Sequence, residues 1–355
     1  MKKVLVGICP IGNGHINRQI CVIRELLSNN FEILIATDDS KIQMLKNIFP
    51  NEKYIAINIP WIVCDDNGFN FADTLNRYNN NDLFKKFLEF GIDVEKKLNG
   101  KPDLVITDYE PNVAQYSYAQ SIPLITMEQQ SKYMYIDEIE MHNYSIKEEI
   151  YRLNYFFPKF NKKIISSFFP LDIKEENVIQ VSPIIPKLNR YERHDSFILV
   201  YFSPYSNSDK YEKIINILKE FKNISFKVFS NNYDDYVNKY KFDNVSFNKY
   251  NDDFKEDLAK CSALITTGGH QLISEAISLE VPLYVLPLET YEQHYNAYMV
   301  EHYGLGTNEK ISEESIRKFI ENRNNYVNNI KKYKKKYYKE PWQKILVKTI
   351  ESINK

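Results

Sequence analysis

The sequence predicts an α/β protein built from two doubly wound parallel-sheet domains. Three observations carry this. At 355 residues the chain exceeds what one hydrophobic core ordinarily serves, so two domains are expected. Short apolar runs alternate with amphipathic stretches, the pattern of parallel strands covered by helices on both faces. The alternation then restarts at Phe197, beyond the stretch Val178–Pro186, where Pro183 and Pro186 disfavour a regular element and mark a linker.

The elements follow in order. Val4–Ile8 is the first strand. MKKVLVGICP is basic and then apolar, but the apolar run is short and Gly12-Asn13-Gly14-His15 interrupts it, so a strand is read here and not a signal peptide. Ile16–Leu27 sets Ile16, Ile20, Ile23 and Leu27 on one helical face. Strands at Phe31–Ala36 and Tyr54–Ile57, a helix at Leu83–Leu98, and buried strands at Leu104–Thr107 and Leu124–Met127 complete the first half. The second half has strands at Phe197–Phe202, Phe226–Phe229, Val245–Phe247, Ala263–Thr266 and Leu283–Leu286, with helices at Lys210–Phe221 and 270–279. The charge run 331–340 reads as a solvated helix face. Trp342, Ile345, Leu346, Ile350 and Ile353 recur at helical spacing, so the last helix is expected to pack. The expected domains are 1–182 and 183–335, with a terminal helix in 336–355 returning to the first.

Composition narrows the class. The chain is 43% hydrophobic and 26% charged, within the globular range. A net charge of −1 gives no basic footprint for nucleic acid. Four scattered cysteines, at 9, 21, 64 and 261, offer neither a metal-ligand spacing nor a disulfide framework, and free thiols in a reducing cytoplasm are expected. No run reaches the roughly 18–20 apolar residues of a membrane span. In 151–170 aromatics interleave with four Lys/Arg, which fits either core rings with solvated lysines or peripheral contact with an anionic membrane face.

The most informative segment is 266–297, TTGGHQLISEAISLEVPLYVLPLETYEQHYNA. Thr266-Thr267-Gly268-Gly269-His270 joins a buried strand to a helix. Glycines there permit a tight turn and close approach of a ligand to the backbone. The helix that follows presents N–H groups and the positive end of its dipole, a ready site for a diphosphate. Glu275 stands about one helical turn further on, where a carboxylate can accept ribose hydroxyls. Glu292 and Gln293 follow the next buried strand with groups matched to sugar hydroxyls. In the first half, Gly12, Asn13, Gly14 and His15 form the loop after strand one. GxGxxG is incomplete there, which disfavours a dehydrogenase. An imidazole at that edge can take a proton at neutral pH or cap the following helix. Asp108 ends a buried strand, where it can orient His15 or cap its own turn, and Glu110 beside it is an alternative base or acceptor contact.

These residues resemble the glycosyltransferases of GT-B fold, in which two Rossmann-like domains face each other across a cleft. The segment 250–297 is similar to the family-1 UDP-glycosyltransferases and to the family-28 enzymes that add N-acetylglucosamine to lipid I. By that likeness Tyr250, Asp252 and Phe254 lie in the base-binding segment, and His270, Gln271 and Leu272 lie at the phosphates. Thr267, Gly268 and Gly269 form the turn, Glu275 binds ribose, and Glu292 with Gln293 contacts the sugar. Plant-type members carry a histidine where Thr267 stands. The usual glycine-rich turn after the strand ending at Phe202 is replaced by Ser203-Pro204-Tyr205-Ser206-Asn207-Ser208, whose Ser203 and Ser206 hydroxyls can substitute. The family-1 likeness makes His15 the base and Asp108 its orienting partner. The lipid I likeness instead gives the early loop to phosphate or acceptor.

The resemblance implies an inverting, metal-independent transfer from a nucleotide sugar, UDP-linked by expectation, to an acceptor hydroxyl, with no cofactor beyond that co-substrate. The acceptor is open: a cell-surface glycan, a lipid-linked molecule, a natural product or a peptide. Two rival readings are a GT-B-fold epimerase or hydrolase acting on the nucleotide sugar alone, and a non-catalytic scaffold. The expected location is the cytoplasm, at most peripheral at the inner membrane face.

Overall fold

A computed structural model of the chain describes residues 1–57, 64–65, 68–69, 72, 76, 83–139, 145–188, 197–203, 208–250 and 253–353. They form two compact units. The first comprises Met1–Asp137, Ile146–Pro186 and Glu340–Lys355; the second is chiefly Lys187–Lys339.

The sheet of the first unit has strands β1 (Lys3–Ile8), β2 (Glu32–Thr37), β3 (Lys53–Ala56), β4 (Leu104–Asp108), β5 (Leu124–Glu128), β6 (Lys162–Ser166) and β7 (Val178–Val181). Their order is β3-β2-β1-β4-β5-β6-β7, with every neighbour parallel. Helices α1 (Gly14–Ser28), α2 (Asp39–Ile48), α3 (Leu83–Leu98), α4 (Pro111–Gln120) and α5 (Lys147–Phe156) belong to this unit. Alternate strand residues feed opposite layers. Val4, Val6 and Ile8 meet Ile16, Ile20 and Ile23 of α1, while Leu5, Leu34 and Val105 meet Phe90 and Val94 of α3 and Val113 of α4. Burial on both faces is why these strands are apolar without alternation.

Two strands of this sheet depart from the sequence reading. Val178–Val181, expected as linker, is the edge strand of the sheet, and the prolines come only after it. Lys162–Ser166 was hidden by its lysines. Lys163 is buried, and its Nζ donates to Ser131 Oγ at 3.0 Å. In the same stretch Phe157, Phe168 and Phe169 are core residues, whereas Tyr151 and Tyr155 are exposed.

The second unit repeats the order. Strands β8 (Phe197–Tyr201), β9 (Ser225–Phe229), β10 (Val245–Asn248), β11 (Ala263–Thr266), β12 (Leu283–Val285) and β13 (Gly306–Thr307) run β10-β9-β8-β11-β12-β13, all parallel. Its helices are α6 (Ser208–Leu218), α7 (Tyr233–Lys239), α8 (Asp253–Lys260), α9 (His270–Leu279), α10 (Tyr291–His302), α11 (Glu313–Glu321) and α12 (Arg323–Tyr337). Helix α13 (Trp342–Ile353) belongs to the first unit, where Trp342, Leu346 and Ile350 join the layer of α1. Among the described residues, no helix is long and apolar enough to cross a membrane.

In both sheets the strand order reverses beside the first strand, between β1 and β4 and between β8 and β11. Open α/β sheets bind ligands at that switch point, beyond the carboxyl ends of the strands. His15 and Asp108 stand there in the first unit, and Ser203 and Thr267–Gly269 in the second.

Candidate active site

In the first unit, β1 and β4 pair with Ile8 opposite Asp108, so both strands end level. The loop from Cys9 to Asn13 then turns into α1. Gly12 has φ +69°, a left-handed conformation in which a side chain would be strained. Asn13 precedes the helix, and its side-chain oxygen accepts from Lys41 Nζ at 3.1 Å. Gly14 opens the helix, and His15 therefore lies in its first turn. This helical start carries the imidazole over the end of β4, where His15 Nδ1 lies 2.7 Å from Asp108 Oδ1.

Asp108 is fully buried and more heavily bonded than a simple His–Asp pair requires. Arg18 donates through Nη2 to Oδ1 at 2.7 Å and through Nε to Oδ2 at 2.8 Å, and Gln19 donates through Nε2 to Oδ2 at 2.9 Å. With the imidazole included, four donors fill the roughly four lone-pair positions of a carboxylate. Burial alone would raise the carboxyl pKa, but the Arg18 charge and the bonds from His15 and Arg18 outweigh it and hold the group at about 2. Tyr109 stacks its ring on His15, with centroids 6.1 Å apart. Gln130 Nε2 stands 3.4 Å from His15 Nε2. Sequence reasoning found His15 and Asp108 but missed Arg18, Gln19 and Gln130. Arg18 and Gln19 look like ordinary residues of an amphipathic helix until β4 is seen beneath them.

Glu110 has a different place from the one expected. It caps α4: Oε2 accepts from Val113 N–H and Oε1 from Asn112 Nδ2, both at 2.8 Å. Burial raises its carboxyl to about 7, and these hydrogen bonds only partly offset the burial. Both carboxylate oxygens are thus engaged by the protein.

In the second unit, the two glycines after β11 do different things. A Cβ on Gly268 would lie 2.4 Å from the Gln293 carbonyl oxygen, so only glycine lets α10 come this close. Among the described residues, a Cβ on Gly269 would meet nothing within 4 Å. Gly269 precedes the first turn of α9, which carries neither a side-chain cap nor an acidic residue. The open backbone and the positive end of the helix dipole therefore coincide at this position.

Glu292 and Gln293 lie in the first turn of α10 and not in a loop; Thr290 caps that helix. Gln293 Oε1 accepts from the N–H of Gly268 at 2.8 Å and of Leu288 at 3.0 Å, and so ties the two turns together. Its Nε2 remains on the other side of the amide. Asn296 Nδ2 adds a bond to the Gly268 carbonyl at 2.8 Å. Glu292 is half-buried.

Glu275 is buried, and burial raises its carboxyl pKa above the ordinary value; Gln271 Nε2 donates to Oε1 at 3.2 Å. Leu272 beside it is half-buried, and Thr267 is buried. His270 is buried too, with Nδ1 3.4 Å from Ser274 Oγ. Tyr250 is exposed and stands against Phe254 at 4.9 Å, whereas Phe254 is a core residue. Ser203 is buried, and its carbonyl accepts from Tyr211 Oη at 3.0 Å. Asp252 and Ser206 lie outside the described residues.

Comparison with known proteins places this arrangement. Residues 2–323 match the family described as glycosyl transferase family 1. A curated relative, the UDP-N-acetylglucosamine–N-acetylmuramyl-(pentapeptide) pyrophosphoryl-undecaprenol N-acetylglucosamine transferase of Pelagibacter ubique (strain HTCC1062), is 24% identical over 231 residues. That match covers 57% of this chain, and the chain spans 65% of the relative's length. Phytolacca americana UGT2, solved with UDP-2-fluoro-glucose and pterostilbene, superposes with a TM-score of 0.73 at 13% identity, covering 100% of both chains. The Acinetobacter baumannii MurG structure gives 0.65 at 13% identity, covering 99% of this chain and 100% of that one. The architecture is the GT-B fold, and the chain belongs to glycosyl transferase family 1.

Proposed function

We propose that the chain transfers a sugar from a nucleotide donor, UDP-linked, to an acceptor hydroxyl with inversion at the anomeric carbon. The observation that carries the reading is the 2.7 Å contact between His15 Nδ1 and the buried Asp108 at the switch point of the first unit. A bare Nδ1 would oppose its lone pair to a carboxylate oxygen at that distance. The contact therefore supports a proton on Nδ1, and with the ring neutral the lone pair is on Nε2. Nε2 then takes the proton of the acceptor hydroxyl as its oxygen attacks. Asp108 stays ionised and holds the ring in that tautomer.

In the second unit the donor diphosphate sits against the Gly269 backbone and the tip of α9, whose N–H groups stabilise it as it leaves. Glu275 accepts the ribose hydroxyls. Glu292 and the side-chain Nε2 of Gln293 meet the sugar. The helix tip takes the charge that a divalent metal takes elsewhere, so the reaction needs no metal. Two relatives support a UDP donor: the Pelagibacter enzyme by the substrate in its name, and the Phytolacca enzyme by its bound ligand. Their acceptors differ, a lipid-linked glycopeptide precursor in one and a small phenol in the other, and both acceptor classes belong in the assay.

The test is kinetic. UDP release is followed with UDP-sugars, with and without each acceptor class, in the presence of EDTA. His15→Ala should lower turnover by about 10²- to 10⁴-fold, the usual scale for a general base, with UDP affinity unchanged by calorimetry. Full turnover in that variant removes His15 from the chemistry. UDP release that no acceptor accelerates replaces transfer with hydrolysis or epimerisation.

A further inference from the structure

Asp108 is a fully buried anion, and such a charge requires a cation beside it. Two candidates touch it: the guanidinium of Arg18 and the imidazole of His15. Only one need carry the positive charge, and which one does decides whether His15 can accept a proton.

Arg18 Nη2 and His15 Nδ1 lie 3.1 Å apart. This is the separation of two donors that share one acceptor, since each is 2.7 Å from Asp108 Oδ1. Arg18 adds its second bond to Oδ2, so the guanidinium meets the carboxylate edge-on through two parallel N–H groups. Arg18 is itself fully buried. Its charge is delocalised and is not lost at any accessible pH, unlike that of an imidazole. The other titratable groups near the ring do not compete for the role. Tyr109, stacked on the imidazole, has its phenol held in the neutral form by burial and by the Glu149 carboxylate. Burial also pushes the Cys9 thiol up. Glu110 is spent on the cap of α4. Gln19 and Gln130 carry no charge.

We propose that Arg18 is a positioning residue that supplies the counter-charge of Asp108, so that the imidazole of His15 stays neutral and able to act as a base. Without Arg18 the uncompensated Asp108 charge would raise the proton affinity of the ring and favour its charged form before the acceptor arrives. With Arg18 in place the carboxylate still fixes the Nδ1–H tautomer, yet the ring carries no charge until it takes the acceptor proton. The inference rests on the reading of His15 as base.

The test reads the charge state of the ring directly. The full chain, labelled with ¹⁵N at its six histidines, is recorded by NMR at pH 7, and His15→Gln assigns the His15 signals. Wild type should show one protonated and one bare ring nitrogen, with Nδ1 protonated. Arg18→Met should show both nitrogens protonated at the same pH, and turnover lower by about 10²-fold, the scale of a misplaced catalytic group. Arg18→Met combined with Asp108→Asn removes both charges and should return the neutral ring. Arg18→Lys keeps the charge with poorer geometry; it should keep the neutral ring and stands in should Arg18→Met fail to fold. A neutral ring in folded Arg18→Met, or a charged ring in wild type or Arg18→Lys, overturns the proposal. This readout needs no substrate. Failure of the base assignment shows instead as full turnover in His15→Ala, so the two outcomes are separable.

Discussion

The paired glycines after β11 give the sharpest test of the donor site, because one alanine scan should split them. At Gly268 a methyl group would stand 2.4 Å from the Gln293 carbonyl oxygen and 2.7 Å from its Cα. Ordinary contact begins near 3.4 Å, so backbone must move by about 1 Å (3.4 − 2.4). Overpacking of this kind costs about 1–3 kcal/mol. For a unit of this size each kcal/mol lowers Tm by about 2–4 °C, so a fall of several degrees is expected. The displacement also separates the Gly268 N–H from Gln293 Oε1 and loosens the start of α10. At Gly269 the same methyl group meets nothing within 4 Å among the described residues, and φ is −65°, which any residue adopts. Gly269→Ala should therefore keep or raise Tm, by the roughly 0.4–1 kcal/mol that a compatible Gly→Ala change supplies. If the diphosphate sits against this backbone, the methyl group blocks it. UDP affinity should then fall at least tenfold, about 1.4 kcal/mol. Differential scanning fluorimetry and calorimetry with UDP measure both quantities. Wild-type UDP affinity in a stable Gly269→Ala protein would refute the placement of the pyrophosphate at the tip of α9.

Other expectations follow from the same geometry. Glu110 titrates near 7 when folded against an ordinary 4.5. A raised carboxyl contributes stability that is complete below about pH 4.5 and is lost as pH rises through 7, by at most about 3 kcal/mol. Denaturation of Glu110→Gln from pH 5 to 8 should accordingly lose most of the pH slope of wild type, and an unchanged slope would discard the assignment. Glu275→Ala should abolish discrimination between UDP and 2′-deoxy-UDP if Glu275 holds the ribose; persistence of that preference in calorimetry argues for another contact. Leu346 is fully buried in the layer shared by α1 and α13. Leu346→Ala should cost about 2–5 kcal/mol by chemical denaturation, and a change under 1 kcal/mol would mean that α13 adds little to the first unit.

Much of the architecture was legible in the chain because burial on both faces of a parallel sheet writes itself as short apolar runs. Leu104–Thr107 and Leu124–Met127 could hardly be anything else, and the alternation with amphipathic helices gave the layers. Val178–Val181 and Lys162–Ser166 were not legible. An edge strand needs less apolar sequence, and Lys163 hides a buried position behind a charge that only Ser131 and its surroundings make acceptable. The turn chemistry around Gly268-Gly269 was visible as a pair, but nothing in the letters separates the glycine required by packing from the one that faces open space. That distinction depends on Gln293, 25 positions away. The same holds for Gln293 itself, whose side-chain amide oxygen ties two turns together, and for Glu110, which caps its own helix. By itself, then, the sequence determined which residues lie at the ends of strands, because local periodicity and turn chemistry act over a few positions. Only the tertiary structure decided what each side chain does there. The register of β1 against β4 brings Arg18 and Gln19 onto a carboxylate some 90 residues distant, and a contact between strands has no signature in the residues between them.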